Sequence, residues 1–182
     1  MIKELEHTIR QKGISLFAHD SAGERHVDTF IKLLIPNSKI LSGKLTFDNI
    51  EYILNTSKDC SIFIKEPIQL IGWMIGSISS PLDRAHQNSK FLRKFFDICQ
   101  TNNINLMIKS QAYVTLNPSQ IILGNNSLMY SSNFICSFVD NKAKIVKSRE
   151  DNIGLTFEYD ILKLIRREKI KKIENADINI NK

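Results

Sequence analysis

Residues 13–35, GISLFAHDSAGERHVDTFIKLLI, read as a strand, a turn and a helix in immediate succession, and that order constrains the fold more than any other feature of the chain. The apolar strand runs from Ile14 to Phe17. A stretch of small and polar residues follows, and Val27, Phe30, Ile31 and Leu34 then recur at helical spacing on one face. A strand that feeds a helix directly must pack that helix back onto a sheet, and further parallel strands need crossovers of the same kind. The chain repeats the alternation. Lys39 to Leu41 is a short strand, and DNIEYIL starts a helix with Asp48 as its cap. Ile62 to Ile64, ended by Pro67, has the uninterrupted apolar character of a strand buried on both faces.

Farther on, GWMIGSISS reads as a loop, and NSKFLRKFFDICQ as a helix capped by Asn88 or Ser89, with Phe91, Leu92, Phe95, Phe96 and Cys99 as its apolar stripe. INLMIKSQ is another buried-type strand. The polar, turn-rich stretch from Ala112 to Tyr130 is expected to be a long loop, which in a compact domain is usually functional or mobile. SNFICSFVD, KAKIVKS and LTFEYDI are the closing strands, the last two forming a hairpin. Residues 2–11 are expected to form a short helix with Ile2, Leu5 and Ile9 on one face. The pattern gives an α/β fold with a mostly parallel sheet and an antiparallel extension. Residues 1–161 are expected to form one core domain and residues 162–182 a basic tail.

Composition narrows the function classes. No apolar run is long enough to span a membrane, and the charged start MIKELEHTIR is unlike a secretory signal, so a cytoplasmic protein is expected. Cys60, Cys99 and Cys136 are widely spaced within apolar segments, as buried free thiols are, and argue against a zinc site. The net charge of +6 permits contact with nucleic acid, or equally reflects a lysine-rich solvated surface.

The strand, loop and helix at 13–35 have the frame of a phosphate-binding loop, G-x-x-x-x-G-K-[ST], whose backbone amides cradle phosphates while the lysine meets their oxygens and the hydroxyl holds Mg²⁺. The same eight places read Ala18, His19, Asp20, Ser21, Ala22, Gly23, Glu24, Arg25, and only Gly23 fits. A Glu24 carboxylate in the lysine's place opposes a triphosphate, which argues against tight ATP binding. An Asp20–His19 pair suggests acid–base chemistry, but with no nucleophile in view a capping Asp beside a surface His is the simpler account.

This order of elements, with several local strings, resembles the core ATPase domain of the RecA-like recombinases, most closely the small archaeal RadB-type and RadA-type paralogues, over residues 10–161. The resemblance implies a three-layer core of the P-loop NTPase kind. SIFIKEPIQ corresponds to the strand carrying the second ATPase motif, with Glu66 or Lys65 in the carboxylate's place. Gln111 matches the family's γ-phosphate sensor, and Ala112 to Tyr130 sits where its second DNA-binding loop belongs. Lys147, Arg149 and Gly154 match a basic hairpin, K-x-R, loop, glycine, which in the family reaches the nucleotide of a neighbouring subunit. Solvating charge is the ordinary alternative for that hairpin. DNA contacts implied for the loop fall on Tyr113, Asn117, Gln120, Asn125 and Asn126, in a stretch with no Lys or Arg. Arg166, Arg167 and Lys169 in the basic segment are a better electrostatic footprint.

The departures are as informative. The phosphate-loop lysine and hydroxyl are missing, and Ser42, Gly43 and Lys44 stand where the family has the glutamate that activates water. Phosphoryl transfer depends almost wholly on positioning and charge neutralisation, so these losses imply a pseudo-ATPase for which no cofactor is expected, residual binding of ATP and Mg²⁺ being the alternative. The expected role is that of a non-catalytic recombinase paralogue in DNA repair by homologous recombination, binding an active recombinase or other RecA-like subunit, single-stranded DNA, or both. The alternatives are a weak ATPase of the helicase or clock-like branch, and a regulatory scaffold without DNA binding.

Overall fold

The computed structural model describes residue 9 and residues 11–43, 45–65, 81–111, 113–114, 121–122, 126–139, 142–148 and 156–158. In chain order the elements are β1 (Gly13–His19), α1 (Glu24–Leu34), β2 (Lys39–Leu41), α2 (Phe47–Thr56), β3 (Ser61–Ile64), α3 (Pro81–Thr101), β4 (Asn105–Gln111), β5 (Tyr113–Val114), β6 (Ile121–Ile122), α4 (Asn126–Ser131), β7 (Phe134–Val139), β8 (Lys142–Lys147) and β9 (Thr156–Glu158). Seven strands form one sheet in the order β2-β3-β4-β1-β7-β8-β9. The first five are mutually parallel, and β8 and β9 extend the sheet antiparallel. β1 lies between β4 and β7, and all seven of its residues are buried.

Strand alternation sends the core to both sides of the sheet. On one face Leu16, Ile64, Leu106 and Ile108 pack with Phe47 and Leu54 of α2, Leu92 and Phe95 of α3, and Leu128 of α4. On the other, Phe17, Phe63, Met107 and Phe138 meet Val27, Phe30, Ile31 and Leu34 of α1. The fully buried Phe17 ring has Phe30, Phe134 and Phe138 within 6.0–6.4 Å, centroid to centroid, and burying one such side chain is worth about 1.5–3 kcal/mol. Helices therefore cover both faces of a mostly parallel sheet, the expected layering. Ile9 is buried against the α1 side, while the rest of the expected N-terminal helix, apart from Gln11, lies outside the described residues.

Three local expectations are corrected. The cap of α2 is Thr46, not Asp48. The Thr46 hydroxyl accepts from the Asn49 amide at 3.1 Å and the Asn49 side chain accepts from the Thr46 amide at 3.1 Å, a reciprocal capping box. α3 begins at Pro81, a residue whose fixed φ and missing N–H suit the first helical position, so Asn88 and Ser89 lie inside the helix rather than at its cap. The stretch from Ala112 to Tyr130 is not one loop: it contains the antiparallel pair β5–β6 and the start of α4, with Leu128 buried on the core.

β1 opens with Gly13 at φ +120°, where its amide donates to the Ile104 carbonyl at 2.9 Å and a Cβ would overlap the Asn133 side chain. Gly13→Ala is expected to lower stability by about 1–3 kcal/mol, read as a shifted urea midpoint at unchanged slope. Cys99 and Cys136 are buried free thiols as expected, and Cys60 is half-buried.

Candidate functional site

In open α/β sheets ligands bind outside the carboxyl ends of parallel strands, at the point where neighbouring connections leave on opposite faces. Here that point is between β1 and β4. α1 follows β1 onto one face, and α4, in the connection after β4, packs on the other. His19 and Gln111 face each other in register at this end of the sheet.

The turn between β1 and α1 is short and closed. Ala18 and His19 belong to β1, and Glu24 and Arg25 to α1, so only Asp20 to Gly23 remain of the eight expected loop positions. The Asp20 amide donates to the Phe138 carbonyl of β7 at 3.1 Å. Asp20 Oδ1 accepts from the Gly23 amide at 2.6 Å. Gly23 sits so close to β7 that a Cβ would overlap the Phe138 carbonyl oxygen. Its φ of −71° suits any residue, so glycine is required here by proximity and not by backbone conformation. A carboxylate at a helix N-terminus occupies the electrostatic place of a phosphate, and this chain supplies its own. The N-cap of α1 is Gly23, and Asp20 holds that residue's amide from the preceding turn instead of capping the helix as expected; His19 is buried, 7% exposed, with Nδ1 at 2.9 Å from the Asp20 carbonyl oxygen, and is not a surface residue.

Beside the turn lies a charge cluster that the sequence reading missed. Lys109, near the end of β4, has a side chain only 4% exposed, and its Nζ lies 3.1 Å from Glu24 Oε1 and 3.1 Å from Asp28 Oδ1. Lys65, after β3, reaches Asp28 Oδ2 at 3.2 Å. Two ammonium groups thus face two carboxylates. Glu24 and Asp28 stand four apart on α1, one turn above each other, and alternation along β4 puts Lys109 on the α1 side with Met107. The Glu24 charge is matched within the fold, so its repulsion of a phosphate is weaker than the sequence alone suggests. The available signal was a lone lysine in an otherwise apolar strand together with an i, i+4 carboxylate pair. Lys65 points toward α1, and Glu66 lies outside the described residues.

The structure thus gathers Ala18, Gly23, Glu24 and Gln111 at one end of the sheet, with Arg25 exposed on the first turn of α1. Lys147 is elsewhere. β8 runs antiparallel to β7 and Lys147 pairs with Ile135, near the amino end of β7 and away from the turn. Its Nζ donates to the Met129 and Tyr130 carbonyls, each at 3.3 Å, closing the end of α4. There it lines a cleft of about 460 Å³ between α3, α4 and β8, with Arg93, Phe96 and Tyr130. Tyr113 is in β5 and Asn126 opens α4, while Asn117, Gln120, Asn125, Arg149, Gly154, Arg166, Arg167 and Lys169 lie outside the described residues. Among the described residues no group of three His, Cys, Asp or Glu side chains could hold a metal ion, and no helix is long and apolar enough to cross a membrane.

No family model matches the chain, and no curated protein matches it. Among solved structures, a protein of Pyrococcus horikoshii OT3 is similar at 9% identity and a TM-score of 0.44, over 86% of this chain and 97% of that one.

Proposed function

We propose that this chain is a non-catalytic RecA-like protein, a pseudo-ATPase that binds an active recombinase, single-stranded DNA, or both, and so modulates homologous recombination and repair. The observation that carries the non-catalytic part is the closed turn at the end of β1. The Asp20 carboxylate holds the Gly23 amide, and the Lys109 ammonium is engaged by Glu24 and Asp28. An ATPase needs an open amide cradle and an uncommitted cation at that place. The recombination part rests on the resemblance of residues 10–161. Because the stretch from Ala112 to Tyr130 carries no Lys or Arg, the protein partner is the stronger arm of the proposal.

Two measurements test it. ATP turnover should not track the protein through purification, and a nuclease-treated pull-down from native cells should recover a RecA-type recombinase. Turnover that co-purifies and disappears on Glu66→Ala overturns the pseudo-ATPase reading. Failure to recover any recombinase overturns the partner reading.

A further inference from the structure

Among the described residues the seven-stranded sheet ends at β2, which has a strand on one side only, β3. Parallel pairing fixes which backbone groups of β2 are used. Lys39 stands against Ile62, Ile40 against Phe63 and Leu41 against Ile64, and the Lys65 amide donates to the Leu41 carbonyl at 3.0 Å. The N–H and C=O of one strand residue point the same way, and successive residues alternate, so Lys39 and Leu41 bond β3 while the N–H and C=O of Ile40 point out of the sheet. They have no partner among the described residues. The Ile40 side chain is 45% exposed, and of the large hydrophobic side chains left open among the described residues it is the only one on a strand at the end of this sheet.

An open strand edge is a template for another strand, and the residues around Ile40 decide which one it fits. Laid against a reversed copy of itself, Ser-Lys-Ile-Leu-Ser at 38–42 sets Ser38 opposite Ser42, Lys39 opposite Leu41 and Ile40 opposite Ile40. The single charge of the segment then lies along an apolar side chain through its methylene stem and does not face its own copy. Apolar meets apolar at the centre. The outward N–H and C=O of Ile40 are the donor and acceptor that two copies exchange across a two-fold axis in an antiparallel pair.

We infer that β2 is a self-association edge: a second copy of this chain pairs with it antiparallel about a two-fold axis at Ile40, joining the two sheets into one. Three residues span only about 10 Å, less than a standard interface needs, so the dimer is a weak one that forms at high protein concentration. β3 and β4 separate this edge from β1 and its closed turn, so self-association depends neither on ATP turnover nor on a recombinase partner.

The test is sedimentation equilibrium of the full chain over a hundredfold range of concentration, up to about 1 mM. The mean mass is expected to rise toward that of a dimer. Ile40→Lys, which sets like charges opposite each other on the axis, is expected to weaken association about tenfold, and Ile40→Pro, which removes the outward N–H, to do the same. Urea midpoints show that each variant is folded. Tyr130→Ala, which removes the most exposed large hydrophobic side chain among the described residues, is expected to leave association unchanged. Weakening by either Ile40 substitution in a folded protein supports the edge. A monomer at every concentration overturns the inference, as does a dimer that both Ile40 substitutions leave intact or that Tyr130→Ala dissolves.

Discussion

Replacing Glu24 and Asp28 together by alanine should lower the unfolding free energy by about 3 kcal/mol or more, because the Lys109 ammonium is then left buried without a counter-charge. The asymmetry of the cluster makes the prediction specific. The Lys109 side chain is 4% exposed, whereas Glu24 is 56% and Asp28 22% exposed, so the carboxylates keep water when they lose the lysine but the lysine has none to fall back on. Lys109→Met should therefore cost less than the double substitution, since Glu24 is solvated and Asp28 retains Lys65. Adding Lys109→Met to the double variant should restore most of the loss, as replacing a buried ion pair with apolar side chains often does. Urea unfolding of the four proteins at neutral pH decides it. A loss below about 1 kcal/mol in the double variant, with no rescue, would place the cluster among ordinary surface ion pairs.

That cluster also marks where the sequence stops being legible. The apolar runs Ile14 to Phe17, Ile62 to Ile64 and INLMIKSQ announce buried strands, and the stripes on α1 and α3 announce covered faces, because burial leaves a local periodicity. What each face is buried against leaves no such mark. Lys109 meets Glu24 across 85 residues of chain, and only the placement of β4 beside β1 brings them together. The ends of elements were harder for a related reason. Asp48, Asn88 and Ser89 all have capping chemistry, but a cap is chosen by where the backbone leaves the helix, and Thr46 and Pro81 hold those positions. The phosphate-loop frame was legible as strand, turn and helix. Its closure depends on Asp20 and Gly23 docking on the Phe138 carbonyl, a contact with β7 that the sequence of the turn does not contain.

Alkaline pH should destabilise the protein through its two buried thiols. Burial, and then the nearby Cys60, raise Cys99 from an ordinary value of 9.0 to about 12. Burial raises Cys136 also, with a hydrogen bond at the Lys144 backbone pulling the other way. A thiol raised in the fold binds its proton more tightly there than in the unfolded chain. Its contribution to stability is therefore complete below pH 9 and is lost as pH climbs from 9.0 toward the folded value of about 12. Each such group adds a slope of about 1.4 kcal/mol per pH unit, so the two together should remove about 4 kcal/mol by pH 10.5. Lysines and tyrosines titrate in the same range, which is why the comparison must be between slopes. Cys99→Ala/Cys136→Ala should start from a lower stability at pH 8, having lost core atoms, and then decline much less steeply than the wild type from pH 9 to 10.5. Parallel declines in the two proteins would mean that neither thiol is held protonated by the fold, and that alkaline loss belongs to the surface charges alone.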